Sequence, residues 1–324
     1  MVKFRERRGS INLITGATGF IGKSLLNYLI ESGIHTVAAV RVKPNNWSIK
    51  CPLFEVGEIG PETNWSDVLI GIDSVIHTAA RVHVMNDMSI NPLLDFRRVN
   101  VEGTLNLARQ AAKAGVKKFI FLSSIKVNGE STQKGKPFTD SDKPCPEDPY
   151  GISKYEAEEG LRLIARNTAM KVTIIRPVLV YGPGVKGNFL SLIQLQKMGF
   201  PLPLGAIRNS RSFISLDNLI NFIELCLIHP AAGNQTFLVG DGEDISLTEL
   251  LQLTASVMNI KSRLIPVPMG LIGLGARFLG REDLAKRLCS NLQIDITRTK
   301  ELLGWTPPLS VKDGLKRACF NKAE

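Results

Sequence analysis

The first half of the chain alternates short apolar runs with stretches of helical period. Residues 11–15 (INLIT), 36–41 (TVAAVR), 53–56 (LFEV), 74–78 (SVIHT), 118–123 (KFIFLS) and 172–176 (VTIIR) are short, apolar and rich in β-branched residues, and read as buried strands. Between them, 23–31, 99–114 and 150–166 carry apolar residues at helical spacing; in 99–114, Val99, Leu105, Leu107, Ala108, Ala111 and Ala112 line one side. Strands alternating with helices predict an α/β fold, a doubly wound parallel sheet covered on both faces. Past Tyr181 the rhythm breaks at Gly182-Pro183-Gly184, and helices at 216–228, 246–258 and 298–303 mix with short strands. This predicts a sheet domain over 1–180 and a smaller mixed α/β lobe over 181–324, with segments crossing back between them. No internal repeat is present.

Three glycines follow the first strand as Gly16-x-x-Gly19-x-x-Gly22 and open the first helix. Gly16 allows the tight turn, Gly19 lets backbone N–H groups approach a pyrophosphate, and Gly22 lets helix and strand pack closely. With Thr18, Phe20 and Ile21 between them, these residues form a dinucleotide cradle at a helix N-terminus, where donors and dipole favour phosphate. The sheet is therefore of Rossmann type. An acid at the end of the second strand would hold the ribose 2′-hydroxyl of NAD, and a base would take the 2′-phosphate of NADP. Arg41 stands there, Lys43 follows, and no acid lies between Glu31 and Glu55. NADP(H) is favoured, with NAD(H) as the alternative.

Tyr150-Gly-Ile-Ser-Lys154 sets a phenol and an ammonium one helical turn apart, on one face. A cation beside the phenol favours phenolate, so Tyr150 can exchange a proton with an alcohol oxygen while hydride moves at carbon. Ser124, just after a predicted strand, would hydrogen-bond the same oxygen.

Composition adds exclusions. The 324 residues carry a net charge of +10 with 44% hydrophobic and 6% aromatic residues, and mean hydropathy is +0.05. The cations are dispersed and lack interleaved aromatics, so nucleic acid is not the expected partner; a small polyanion is. The five cysteines are far apart without a C-x-x-C pair, which argues against zinc or a disulfide framework and fits a reducing, cytoplasmic setting. The four histidines lack carboxylates at ligand spacing, so no metal is expected. The most apolar tract, 264–280, contains two prolines, four glycines and Arg277, and is a poor membrane span. It reads as an amphipathic helix on a soluble domain. Arg281, Lys286 and Arg287 behind it leave peripheral membrane contact as the lesser reading.

In family order, GATGFIG (16–22), VIHTAA (75–80), NVEGT (100–104), FLSSIKVNG (121–129), YGISK (150–154), RPVLVYGPG (176–184), RSFISLDNL (211–219) and LGWTP (303–307) span almost the whole chain. The sequence resembles an extended short-chain dehydrogenase/reductase of the nucleotide-sugar epimerase/dehydratase type. The resemblance implies a two-domain enzyme, expected as a homodimer, that binds a UDP-sugar or similar nucleotide sugar between sheet and lobe. It implies that Ser124, Tyr150 and Lys154 are catalytic. It assigns Glu58, Ala79, Ala80, Asn100 and Pro177 to the cofactor beside the glycine turn and Arg41. Arg81, His83, Lys126, Asn188 and Arg211 are expected on the substrate side, with Arg211 clamping the diphosphate. Ile125 and Lys126 replace the Asp-Glu pair of related dehydratases, which argues against 4,6-dehydration. The expected activity is NADPH-dependent 4-keto reduction of a UDP-N-acetyl-deoxyhexose for surface polysaccharide. A UDP-glucose or UDP-N-acetylglucosamine 4-epimerase with bound NAD is the alternative. A dihydroflavonol- or steroid-type reductase fits Arg41 but not Asn188 and Arg211. A non-catalytic dinucleotide sensor would not need Ser124, Tyr150 and Lys154.

Overall fold

The apolar runs of the first half lie side by side in one sheet, as their buried patterns require. In the computed structural model, which describes residues 9–82, 91–185, 188–278, 280 and 282–320, the strands are β1 (Asn12–Thr15), β2 (Thr36–Val40), β3 (Leu53–Glu55), β4 (Ser74–His77), β5 (Lys118–Leu122), β6 (Lys171–Pro177), β7 (Leu179–Tyr181), β8 (Arg211–Ser215), β9 (Gln235–Val239) and β10 (Asp244–Ile245). The α-helices are α1 (Phe20–Glu31), α2 (Pro92–Phe96), α3 (Thr104–Lys113), α4 (Pro149–Asn167), α5 (Asn188–Lys197), α6 (Leu216–Ile228), α7 (Leu247–Val257), α8 (Met269–Phe278), α9 (Glu282–Cys289), α10 (Thr297–Leu303) and α11 (Val311–Phe320).

Packing divides the chain into two units, Met1–Val127 with Pro146–Arg176 and Phe222–Phe237, and Asn128–Cys145 with Pro177–Asn221 and Leu238–Glu324. The first is built on a seven-stranded sheet of order β3-β2-β1-β4-β5-β6-β9. The pairs from β3 through β6 are all parallel. Leu13, Val75, Phe119 and Phe121 from the strands meet Leu107, Ala108 and Ala111 of α3 and Ala157 and Leu161 of α4. The alanines let the two helices approach the sheet closely. The sequence pattern gives six strands; the seventh, β9, comes from the irregular half. Asn234, at φ 60°, aligns it: its N–H donates to the Val172 carbonyl at 2.7 Å, and its side-chain oxygen accepts from the Val172 N–H at 2.9 Å. Asparagine tolerates that left-handed backbone.

The single helix expected over 99–114 is instead a continuous path of α2, a π-helical segment Arg97–Gly103, and α3. The wider π turn changes the side-chain phase, as such turns do at functional sites. The phase change aims Asn100 inward, where it is 1% exposed.

The second unit holds the three-stranded sheet β10-β8-β7, with β7–β8 parallel and β8–β10 antiparallel. Its core joins Tyr181, Phe189, Ile193, Phe213, Leu250, Leu251, Val311 and Leu315. A Ser246–Glu249 capping box starts α7.

Candidate active site

The order of strands reverses between β1 and β4, so the helices that follow them leave on opposite faces and a crevice opens at the strand C-termini. Ligands of open α/β sheets bind at such a switch point. The glycine turn follows β1, Ala79 and Ala80 follow β4, and Ser124 follows β5, three neighbouring strands.

Gly16 has φ +72°, and a Cβ there would lie 2.7 Å from the Ala79 nitrogen. A Cβ at Gly22 would lie 2.1 Å from the Gly16 carbonyl oxygen. The bare backbone at both is demanded by the crossing of turn and strand end. The turn closes with Gly19 N–H donating to the Gly16 carbonyl at 2.9 Å. Gly19 caps α1 without a side-chain hydrogen bond, and no acid occupies the first turn. Thr18 and Gly19 are exposed, and Phe20 and Ile21 half-buried. Open N–H groups on a positive helix end beside a bare backbone fit a dinucleotide diphosphate.

Asn100 staples the loop after β4. Its oxygen accepts from the Arg81 N–H at 2.8 Å. Its amide donates to the Arg81 carbonyl at 3.0 Å and to the Ser153 hydroxyl at 3.0 Å. Arg81 itself pairs with Asp95 at 3.4 Å and lies over the Phe96 ring. Arg41, just beyond β2, forms an exposed ion pair with Glu58 at 3.8 Å, so two residues assigned to the cofactor from sequence adjoin each other.

Tyr150 and Lys154 sit on α4, whose start is fixed by Pro149 and by Asp148, which accepts from the Gly151 N–H at 2.7 Å. Asp148 also pairs with Lys126, which ties the α4 N-terminus to the turn carrying Ser124. The Ser124 hydroxyl accepts from the Lys126 N–H at 3.2 Å. A Cβ on Gly151 would lie 2.9 Å from the Lys126 carbonyl oxygen, so these two segments touch through backbone. The acid ahead of Tyr150 thus serves as cap and clamp, and Lys126, expected on the substrate side, is engaged by it.

Lys154 is 1% exposed. Its ammonium donates to the Leu122 carbonyl at 2.8 Å and lies 4.5 Å from the Phe121 ring centroid and 5.9 Å from that of Tyr150. Burial pulls Lys154 down to about 7, opposed by Glu158. Burial, with the Asp148 charge adding to it, pushes the Tyr150 phenol up from its ordinary 10.0. The sequence predicts a phenol lowered by its cationic neighbour; in the protein alone, desolvation outweighs that attraction. His77, held between Thr15 at 2.6 Å and Thr104 at 2.9 Å, is driven down to about 3 by burial and then by Lys154, and stays neutral.

The lowered Lys154 has a thermodynamic consequence. Between about 7 and its ordinary 10.5 the unfolded chain binds more protons than the folded one, so stability rises with pH across that window. Urea titrations should show a steeper rise in wild type than in Lys154→Met; equal slopes would contradict a buried, neutralised amine.

Below Lys154 lies a network that sequence reasoning missed. Glu158 is fully buried and accepts from Ser123 Oγ at 2.5 Å. It also accepts from Arg176 Nε at 2.9 Å and Nη2 at 2.5 Å, and from Arg162 at 2.9 Å. The signal was the four-residue spacing from Lys154, which puts Glu158 on the same inward face.

The remaining expected residues are carried by other elements. Pro177 is the buried last residue of β6. Asn188 and Arg211 belong to the second unit: Asn188 opens α5, and Arg211 donates to the Arg287 carbonyl at 2.8 Å and the Ser290 carbonyl at 3.1 Å. His83 lies outside the described residues.

Fold and site define an extended short-chain dehydrogenase/reductase, an NAD(P)-dependent enzyme. Residues 12–240 match the model of the NAD dependent epimerase/dehydratase family, and the chain belongs to that family. It is 46% identical over 307 residues to a UDP-glucose 4-epimerase of Vibrio cholerae, covering 94% of this chain and 93% of the relative. It is 29% identical to an Escherichia coli O157:H7 N-acetyl-alpha-D-glucosaminyl-diphospho-ditrans,octacis-undecaprenol 4-epimerase, with the same coverage. The solved structure of MoeE5 in complex with UDP-glucuronic acid and NAD is 25% identical, covers 95% of this chain and 97% of that chain, and superposes with TM-score 0.75.

Proposed function

We propose that this chain is an NADPH-dependent reductase acting at C4 of a UDP-linked 4-keto sugar, an N-acetylated deoxyhexose destined for surface polysaccharide. Bound NADPH would supply the hydride. The glycine turn with Thr18, Phe20, Ile21, Ala79 and Ala80 holds the dinucleotide, Arg41 and Glu58 take its adenosine end, and Asn100, Lys154 and Pro177 its nicotinamide end. Tyr150 gives its proton to the C4 oxygen, and the Ser124 hydroxyl hydrogen-bonds the same oxygen. Burial leaves the Tyr150 phenol protonated at neutral pH, and the Lys154 ammonium stabilises the phenolate left once the proton is given. Arg81, His83, Lys126, Asn188 and Arg211 are assigned to the sugar nucleotide.

The observation that carries NADPH over NADH is Arg41, exposed beyond β2 in a stretch without acids from 32 to 54. Arg41→Asp should shift the NADPH:NADH ratio of kcat/KM towards NADH by about tenfold or more, the worth of a charge-assisted hydrogen bond. An unchanged ratio would remove this assignment.

The 46% identical relative favours a second reading, 4-epimerisation with a retained NAD. One experiment separates the two. Stoichiometric loss of NADPH absorbance with a 4-keto UDP-sugar supports reduction. Tightly bound NAD on the purified protein, with interconversion of UDP-sugars lacking added coenzyme, supports epimerisation. We place the reaction in the cytoplasm, consistent with five unbridged cysteines. The active form is assigned as a homodimer, for which the groove lined by Leu105, Leu163 and Ile164 between α3 and α4 offers a seat.

A further inference from the structure

Helix α8 has two apolar sides. Ile272 packs against the core of the second unit, and Ala276, one turn on, is half-buried with it. No residue of the helix is buried. On the opposite side, Leu271, Leu274 and Phe278 recur at the three- and four-residue spacing that places them on one face. They are 58%, 55% and 90% exposed. Isolated surface hydrophobics are ordinary, but an aligned face is a contact surface. Cations bracket it: Lys261 and Arg263 precede the helix, Arg277 is on it, Lys286 and Arg287 follow on α9, and all five are exposed. Glu282 faces Arg277 at 3.4 Å.

We infer that α8 docks this protein on an anionic membrane surface. The helix lies in the interface plane, with Leu271, Leu274 and Phe278 entering the headgroup–acyl boundary and the flanking cations meeting lipid phosphates. The charge pattern selects this occupant, because an apolar strip flanked along the chain by exposed cations complements an anionic bilayer in both layers. Ten residues reach about 15 Å, half a hydrocarbon core, and among the described residues no helix is long and apolar enough to cross a membrane. The helix therefore rests on the surface.

The test uses the full chain and sedimentation with phosphatidylcholine vesicles, with and without phosphatidylglycerol. Binding is expected to the anionic vesicles and to weaken with salt. Leu274→Ser/Phe278→Ser should lower partitioning about tenfold or more, while Tm and dinucleotide binding stay at wild-type values. No binding to anionic vesicles overturns the proposal, as does binding that survives the double substitution. A stable oligomer that Phe278→Ser dissociates also overturns it, by showing that a second copy covers this face. The readout is independent of turnover, so it stands or falls separately from the reductase assignment.

Discussion

Tyr150→Phe is expected to lower kcat/KM by about 10²–10⁴-fold, the range of one positioned general acid, while the dissociation constant for dinucleotide stays near that of wild type. The substitution removes one oxygen and leaves the ring, which packs edge-on to Phe96 at 6.0 Å, so α4 keeps its place. Lys154 keeps its bond to the Leu122 carbonyl, and the glycine turn is untouched. Steady-state turnover and a nucleotide fluorescence titration, run side by side, separate chemistry from binding. Near-normal turnover would reject Tyr150 as the proton donor. Equal losses of turnover and dinucleotide affinity would show instead that the ring hydroxyl builds the cradle.

The second large effect falls on stability. Glu158→Ala strips the carboxylate from beneath Arg176, which is 2% exposed, and leaves a buried guanidinium without its main partner. Breaking one side of a buried pair costs about 3–5 kcal/mol. The urea midpoint should drop accordingly at unchanged m. Joint replacement, Glu158→Leu with Arg176→Met, should recover much of the loss, because it removes both charges and refills the volume. A single-variant loss below about 1 kcal/mol, the worth of an exposed pair, would show that water already reaches this site. Since Glu158 also holds Ser123, the residue before Ser124, partial loss of turnover in the folded fraction of Glu158→Gln should accompany the destabilisation.

Local chemistry made much of this molecule legible in advance. The runs that became β1 through β6 are continuous apolar segments too short for helices, and no alternative hides them from water as well. The glycine turn is legible because its three-residue spacing stands directly between an apolar run and a helical stretch and the Gly16 carbonyl, six residues back, closes the Gly22 position, whereas the Ala79 backbone that excludes a Cβ at Gly16 is brought there only by the fold. Tyr150 and Lys154 are legible because a four-residue separation on a helix fixes a shared face. Most of this rests on spacing between residues near in sequence, which fixes geometry locally.

Tertiary structure decided the rest. Only the fold brings Val172 to Asn234 and so adds β9 to the sheet. Only long-range packing turns part of the expected helix 99–114 into a π-helical segment that aims Asn100 at Arg81 and Ser153. The raised phenol of Tyr150 and the lowered amine of Lys154 depend on burial, which no spacing reports. The pairing of Glu158 with Arg176 is concealed for the same reason: both residue types are ordinarily solvated, and only a sheet that closes over them makes their charges need each other.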